Sequence, residues 1–142
     1  MSKEEGSDNY YKMFQNLVEL GAENIEKGYL LAVEAEKFYY LKEYKKSAIK
    51  FEQAFSYIPN EIPYYENAAN SYMKLGNNTR AIEILEELII NLNPISGKAE
   101  YLLAILYVDE GQKKKGCDYL SISISKGFNV PEIVQRSLCK PQ

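Results

Sequence analysis

The sequence predicts an all-α fold, a right-handed α-solenoid of antiparallel helix pairs with about seven or eight helices. Three observations carry this expectation. The first is an internal period: Ala35, Ala69 and Ala104 fall at intervals of 34 and 35 residues, and the columns Phe38/Tyr72/Tyr107, Ser47/Ala81/Gly116 and Phe51/Leu85/Leu120 keep the same register. A small residue, an aromatic three later, a second small residue and then a large apolar one describe two helices. The small side chains mark close approach within a pair, and the large ones fill the space between neighbouring pairs. The second observation is that helix breakers stand where the turns belong, at Lys42-Glu43, Pro59-Asn60, Gly76-Asn77-Asn78, Pro94 through Gly97 and Glu110-Gly111-Gln112. The third is an apolar stripe at each end, Phe14, Leu17, Val18 and Leu20 near the start and Val130, Ile133, Val134 and Leu138 near the finish.

In chain order, helices are expected over 9–20, 24–41, 44–57, 61–75, 78–92, 97–109, 113–126 and 131–138. Asp8 suits the N-cap of the first and Gly21 its C-cap. The resulting organisation is a flexible lead (1–8), an N-terminal capping helix and linker (9–27), three repeats (28–61, 62–96 and 97–129) and a C-terminal capping helix with its tail (130–142). A solenoid exposes an apolar face at either end, so the two terminal helices read as covers for those faces. An alternative for the first is that it folds back into a binding groove.

Composition narrows the function classes. The 142 residues suit one domain, and 46% hydrophobic content can fill its core. The net charge is -3 and the lysines are scattered among glutamates, so there is no basic stripe for nucleic acid. No apolar run approaches a membrane span, and Met1–Asn9 is polar and acidic, unlike a signal peptide. The chain has no histidine, which excludes imidazole bases and His-containing zinc sites, and it lacks the phosphate-binding and nucleophile-elbow motifs. The expectation is a protein that is not an enzyme, with no cofactor and no metal. The carboxylates Glu83, Glu86 and Glu87 read as a solvated helix face.

From about Gly28 to Phe128 the chain resembles the tetratricopeptide-repeat family. The family's Trp-x2-Leu-Gly-x2-Tyr run is matched by Leu31, Glu34, Ala35 and Phe38, by Tyr65, Ala68, Ala69 and Tyr72, and by Glu100, Leu103, Ala104 and Tyr107. Its later small and aromatic positions and closing proline are matched by Ser47, Phe51, Ala54 and Pro59. Glu34 and Glu100 stand in slots that are usually apolar, Gly116 and Ser123 depart from the pattern in the third repeat, and Pro94 comes one residue late.

The resemblance implies a protein-protein interaction module, an adaptor or assembly unit, that binds a peptide or protein segment on the concave face lined by the first helix of each repeat. Carried onto this sequence, the groove is Tyr29, Ala32, Val33, Glu36, Tyr39 and Tyr40, then Glu66, Asn67, Asn70, Met73 and Lys74, then Lys98, Tyr101, Leu102, Ile105 and Val108. Asn67 and Asn70 lie three apart on one helical face and can offer paired donors and acceptors to an extended backbone. The carboxylate clamp of some family members is not preserved: Asn67 and Lys98 match it, whereas Ala32, Glu36 and Leu102 stand where Lys, Asn and Arg are needed. The alternative function is structural self-assembly, with copies joined into a homodimer and no separate peptide ligand.

Cys117 and Cys139 are candidates for a disulfide. A hairpin of the last two helices turning near Gly127-Phe128-Asn129 sets them at one level. The other reading is two small core residues. A bridge implies an oxidising compartment, periplasmic or extracellular; without it a cytoplasmic location stays open.

Overall fold

The computed structural model describes residues 3–139, with side chains from Asn9 onward. Among these residues there are seven helices and no strand: α1 (Lys3–Tyr40), α2 (Tyr44–Tyr57), α3 (Ile62–Lys74), α4 (Asn78–Leu92), α5 (Lys98–Asp109), α6 (Lys113–Ser125) and α7 (Glu132–Cys139). Every substantial contact joins consecutive helices, as a solenoid requires.

The turns inside the pairs α1/α2, α3/α4 and α5/α6 are built alike. A residue with left-handed backbone closes each first helix, namely Lys42 (φ 61°), Gly76 (φ 76°) and Gly111 (φ 81°). The next amide then reaches back to the carbonyl of the column aromatic: Glu43 N donates to Phe38 O at 2.9 Å, Asn77 N to Tyr72 O at 2.9 Å and Gln112 N to Tyr107 O at 2.8 Å. This pattern satisfies helix-end carbonyls that would otherwise be orphaned. Asn77 also caps α4, its side chain accepting from Arg80 N at 3.2 Å.

The small-residue columns lie at the closest contacts. Ala35, Ala69, Ala104, Ser47 and Ala81 are all 0% exposed. At Gly116 a Cβ would meet the Ala104 carbonyl oxygen at 2.8 Å, so the backbones of α5 and α6 touch there. The large column (Phe51, Leu85, Leu120) fills the space between pairs. Ser123 is fully buried and donates to Gly97 O at 2.8 Å, which pins α6 to the start of α5.

The two ends depart from expectation. The break at Gly21 is absent: α1 runs without interruption from Lys3 to Tyr40, so Asp8 is not an N-cap and residues 3–8 are helical. Residues 1–2 of the expected lead and 140–142 of the expected tail lie outside the described residues. A single glycine costs a helix only about 1 kcal/mol, and Leu20, Ala22, Glu23 and Glu26 around it are good helix formers. Consequently the first stripe covers nothing, and Phe14, Leu17, Val18 and Leu20 are all exposed. At the other end Val130, Val134 and Leu138 do pack against Ala104 and Leu120, whereas Ile133 points away and is 78% exposed.

The two glutamates in apolar slots are accommodated differently. Glu34 is exposed and pairs with Lys50 at 3.1 Å. Glu100 is 1% exposed, with Oε2 2.6 Å from Lys126 Nζ. We read this as a charge pair rather than an aligned hydrogen bond, since Lys126 directs donors to Asn93 Oδ1 at 3.0 Å and Pro94 O at 2.8 Å.

Candidate functional site

The last turns of α1, the middle of α3 and the buried Phe51 of α2 enclose a cavity of about 200 Å³ lined by Glu36, Tyr39, Tyr40, Phe51, Asn67 and Asn70. Its walls are fixed from beneath by two buried serines. Ser47 Oγ on α2 donates to Ala35 O on α1 at 2.8 Å. Ser71 Oγ donates to Ser47 Oγ at 3.2 Å, with Asn67 O at 2.9 Å as its alternative acceptor. Both serines are 0% exposed, so the backbone that carries Asn67 is tied to α1 and α2 through hydroxyls that water does not reach.

Asn67 and Asn70 are half-buried side by side on α3 and give the cavity a pair of amides. Tyr39 meets Tyr44 edge to face with ring centroids 5.3 Å apart, which holds its ring in place, whereas Tyr40 is 82% exposed. Glu36 supplies the one carboxylate of the lining. The site thus combines aromatic faces, two amides and one acidic group.

Five of the sequence-derived groove residues come together here: Glu36, Tyr39, Tyr40, Asn67 and Asn70. Others do not. Ala32 and Leu102 are buried in the core, where their side chains are consumed by packing. Glu66 is buried, and that burial pushes its carboxyl above the ordinary carboxylate value while the nearby Lys98 ammonium pulls it partly back. Tyr101 packs on the Phe128 ring at 5.1 Å between centroids. Met73 leans on the core, Lys98, Ile105 and Val108 are half-buried on their helix faces, and Lys74 and Val33 are exposed. Tyr29 lines a different and wider depression, of about 700 Å³, with Ala22, Ile25, Glu26, Ile58, Asn60, Glu61 and Tyr64. Phe51 is the lining residue that the sequence reading assigned to packing alone; its column position already set it between two pairs, at the floor of any cleft separating them.

Cys117 and Cys139 are joined in a disulfide with a Cα–Cα distance of 5.6 Å, fastening α7 to α6. Among the described residues, no group of three His, Cys, Asp or Glu side chains could hold a metal ion. None of the described helices is long and apolar enough to cross a membrane.

No family model matches the sequence, and no curated protein does. Among solved structures the chain is similar to the Sgt2 TPR domain from Aspergillus fumigatus, with 24% identity and a TM-score of 0.66 over 79% of this chain and 74% of that one. Consecutive antiparallel pairs, the 34-residue register and this likeness lead to one fold: the chain folds as a tetratricopeptide-repeat domain.

Proposed function

We propose that the protein is a non-catalytic binding module that holds a segment of a partner protein against the face formed by α1, α3 and α5, with the repeats running over 28–61, 62–96 and 97–129. The observation that carries this reading is the cavity in which Asn67 and Asn70 stand beside Tyr39, Tyr40 and Glu36. Paired amides suit the donors and acceptors of an extended backbone, and tyrosine faces suit an apolar side chain next to it. Glu36 adds a preference for a donor-bearing or basic side chain at that point of the segment and works against a carboxylate.

The test is selection from a displayed library of random peptides, run in parallel on the native protein and on Asn67→Ala, with calorimetry on the selected sequences. The expected result is a consensus that binds the native protein and loses affinity at least about tenfold on Asn67→Ala, a difference of about 1.4 kcal/mol, with an unchanged melting temperature. Equal binding to both proteins would overturn the site, and an unenriched library would overturn the reading.

A further inference from the structure

The N-terminal half of α1 stands outside the solenoid. Every residue from Asn9 to Lys27 is exposed, and among the described side-chain positions the first buried one is Gly28. Yet this half is not a polar helix. Tyr10, Tyr11, Met13, Phe14, Leu17, Val18, Leu20, Ile25 and Tyr29 are between 55% and 79% exposed. Side chains of this size leave on the order of 1,000 Å² bare, more than the largest apolar patch of an ordinary monomer and about what one partner gives to a specific interface.

The stripe continues an interface that already exists. At the helical repeat, Tyr10, Phe14, Leu17, Gly21 and Ile25 share the face of Gly28, Ala32 and Ala35. Below Gly28 that face is covered by α2: a Cβ on Gly28 would strike Ile58 Cγ1 at 2.5 Å, and Ala35 O accepts from Ser47. One step above, at Gly21, an added Cβ would meet nothing within 4 Å. The same helical face is therefore filled by a helix on one half and empty on the other.

We propose that a second copy of this chain covers the empty half, its own α1 running antiparallel about a two-fold axis between Leu17 and Val18. The stripe is self-complementary in that orientation. Its bulk lies toward the N-terminal side (Tyr10, Met13, Phe14) and its gaps on the other (Gly21, Ala22). The axis sets Phe14 of each copy at the level of Gly21 of the other, Met13 at Ala22, and Tyr10 at Ile25, beside the depression that Ile25, Tyr29, Ile58 and Tyr64 line. One patch serves both copies, which is the condition for a closed dimer. Glu19 and Glu26 edge the stripe, Glu19 beside Tyr11, Phe14 and Val18 and Glu26 beside Ile25 and Tyr29. The two-fold sets them level with Asn16 and Asn9 and sets Lys12 level with Glu23, so it aligns no carboxylate with a carboxylate. Helices in proteins owe most of their stability to packing of an apolar face rather than to propensity, and the second copy supplies that packing for this half of α1.

The test is sedimentation equilibrium of the full chain over a concentration series, with Leu17→Glu, Glu19→Lys, Val18→Cys and Tyr10→Cys beside it. The native chain and Glu19→Lys should show twice the 16.3 kDa chain mass. Leu17→Glu should fall to the single mass with the solenoid still folded. Under mild oxidation Val18→Cys should form a covalent dimer and Tyr10→Cys should not, because the two Tyr10 positions lie at opposite ends of the paired segment. A single-chain mass at every concentration would overturn the proposal and hand the stripe to a different protein or to a lipid surface. A dimer that survives Leu17→Glu, or cross-links through Tyr10→Cys, would overturn it as well. None of these variants touches Asn67 or its cavity, so peptide binding is read out separately.

Discussion

The phenol of Tyr72 donates to the carboxylate of Glu52 on the preceding helix, and one pair further along Tyr107 makes the same bond to Glu86. Arg80 reaches Glu52 from the other side and Glu83 at 3.0 Å, so the outer surface between pairs is laced rather than merely solvated. Burial first, and then the bond to the neighbouring carboxylate, push both phenols up to about 12 from an ordinary value of 10.0.

A raised phenol value means that the folded protein holds the proton more tightly than the unfolded chain. Stability from Tyr72 and Tyr107 is fully present below pH 10 and is lost as pH rises toward about 12. Urea denaturation at stepped alkaline pH should show the midpoint falling across that window. Tyr72→Phe and Tyr107→Phe should each cost about 1 kcal/mol at neutral pH, and the double variant should flatten the alkaline fall.

Lys126 is the charged partner of Glu100, which is buried in an otherwise apolar column. Lys126→Met should destabilise the protein by on the order of 3 kcal/mol, because it strands a buried charge. Adding Glu100→Leu should recover most of that loss. A double-mutant cycle in urea checks it; strictly additive costs would mean that the two groups do not act as a pair.

The Cys117–Cys139 bridge closes a loop with a sequence separation of 22, worth about 3 kcal/mol in the loop-entropy account. None of the side chains of α7 is fully buried, so the bridge is a large part of what keeps that helix docked. Reduction should lower the melting temperature and abolish hydrogen-exchange protection in α7 while leaving α2 through α5 protected. Protein purified without reductant should show no free thiol.

Most of the helical framework was legible in the sequence because its signals are local and repeated. The expected spans 44–57 and 78–92 coincide with α2 and α4, and the other spans from α3 onward differ by about a residue at their ends. Gly21 misled because glycine marks a stop only when something else ends the helix, and no proline, polar cap or left-handed turn follows it. The candidate cavity was half legible. Helix-face spacing put Glu36, Tyr39, Asn67 and Asn70 on facing helices, but how deeply Ala32 and Leu102 sink depends on where α2 and α4 press, which no spacing rule contains. The tyrosine-glutamate bonds are prefigured in the sequence, since Glu52 and Glu86 keep the 34-residue period and the aromatics they serve, Tyr72 and Tyr107, keep the 35-residue interval that follows it. Glu86 does not belong to the solvated face with Glu83 and Glu87 but is half-buried against Tyr107.

The length of α1 sets a distance. The helix carries Glu36, Tyr39 and Tyr40 near one end and the apolar stripe near the other, so a two-fold at Leu17–Val18 would hold two cavities roughly 60 Å apart, at ~1.5 Å per residue. A rigid spacer of that kind makes the assembly a bivalent ruler. Partners that present two copies of a segment at the matching interval would gain avidity, and those at shorter intervals would not, whatever their affinity for a single cavity.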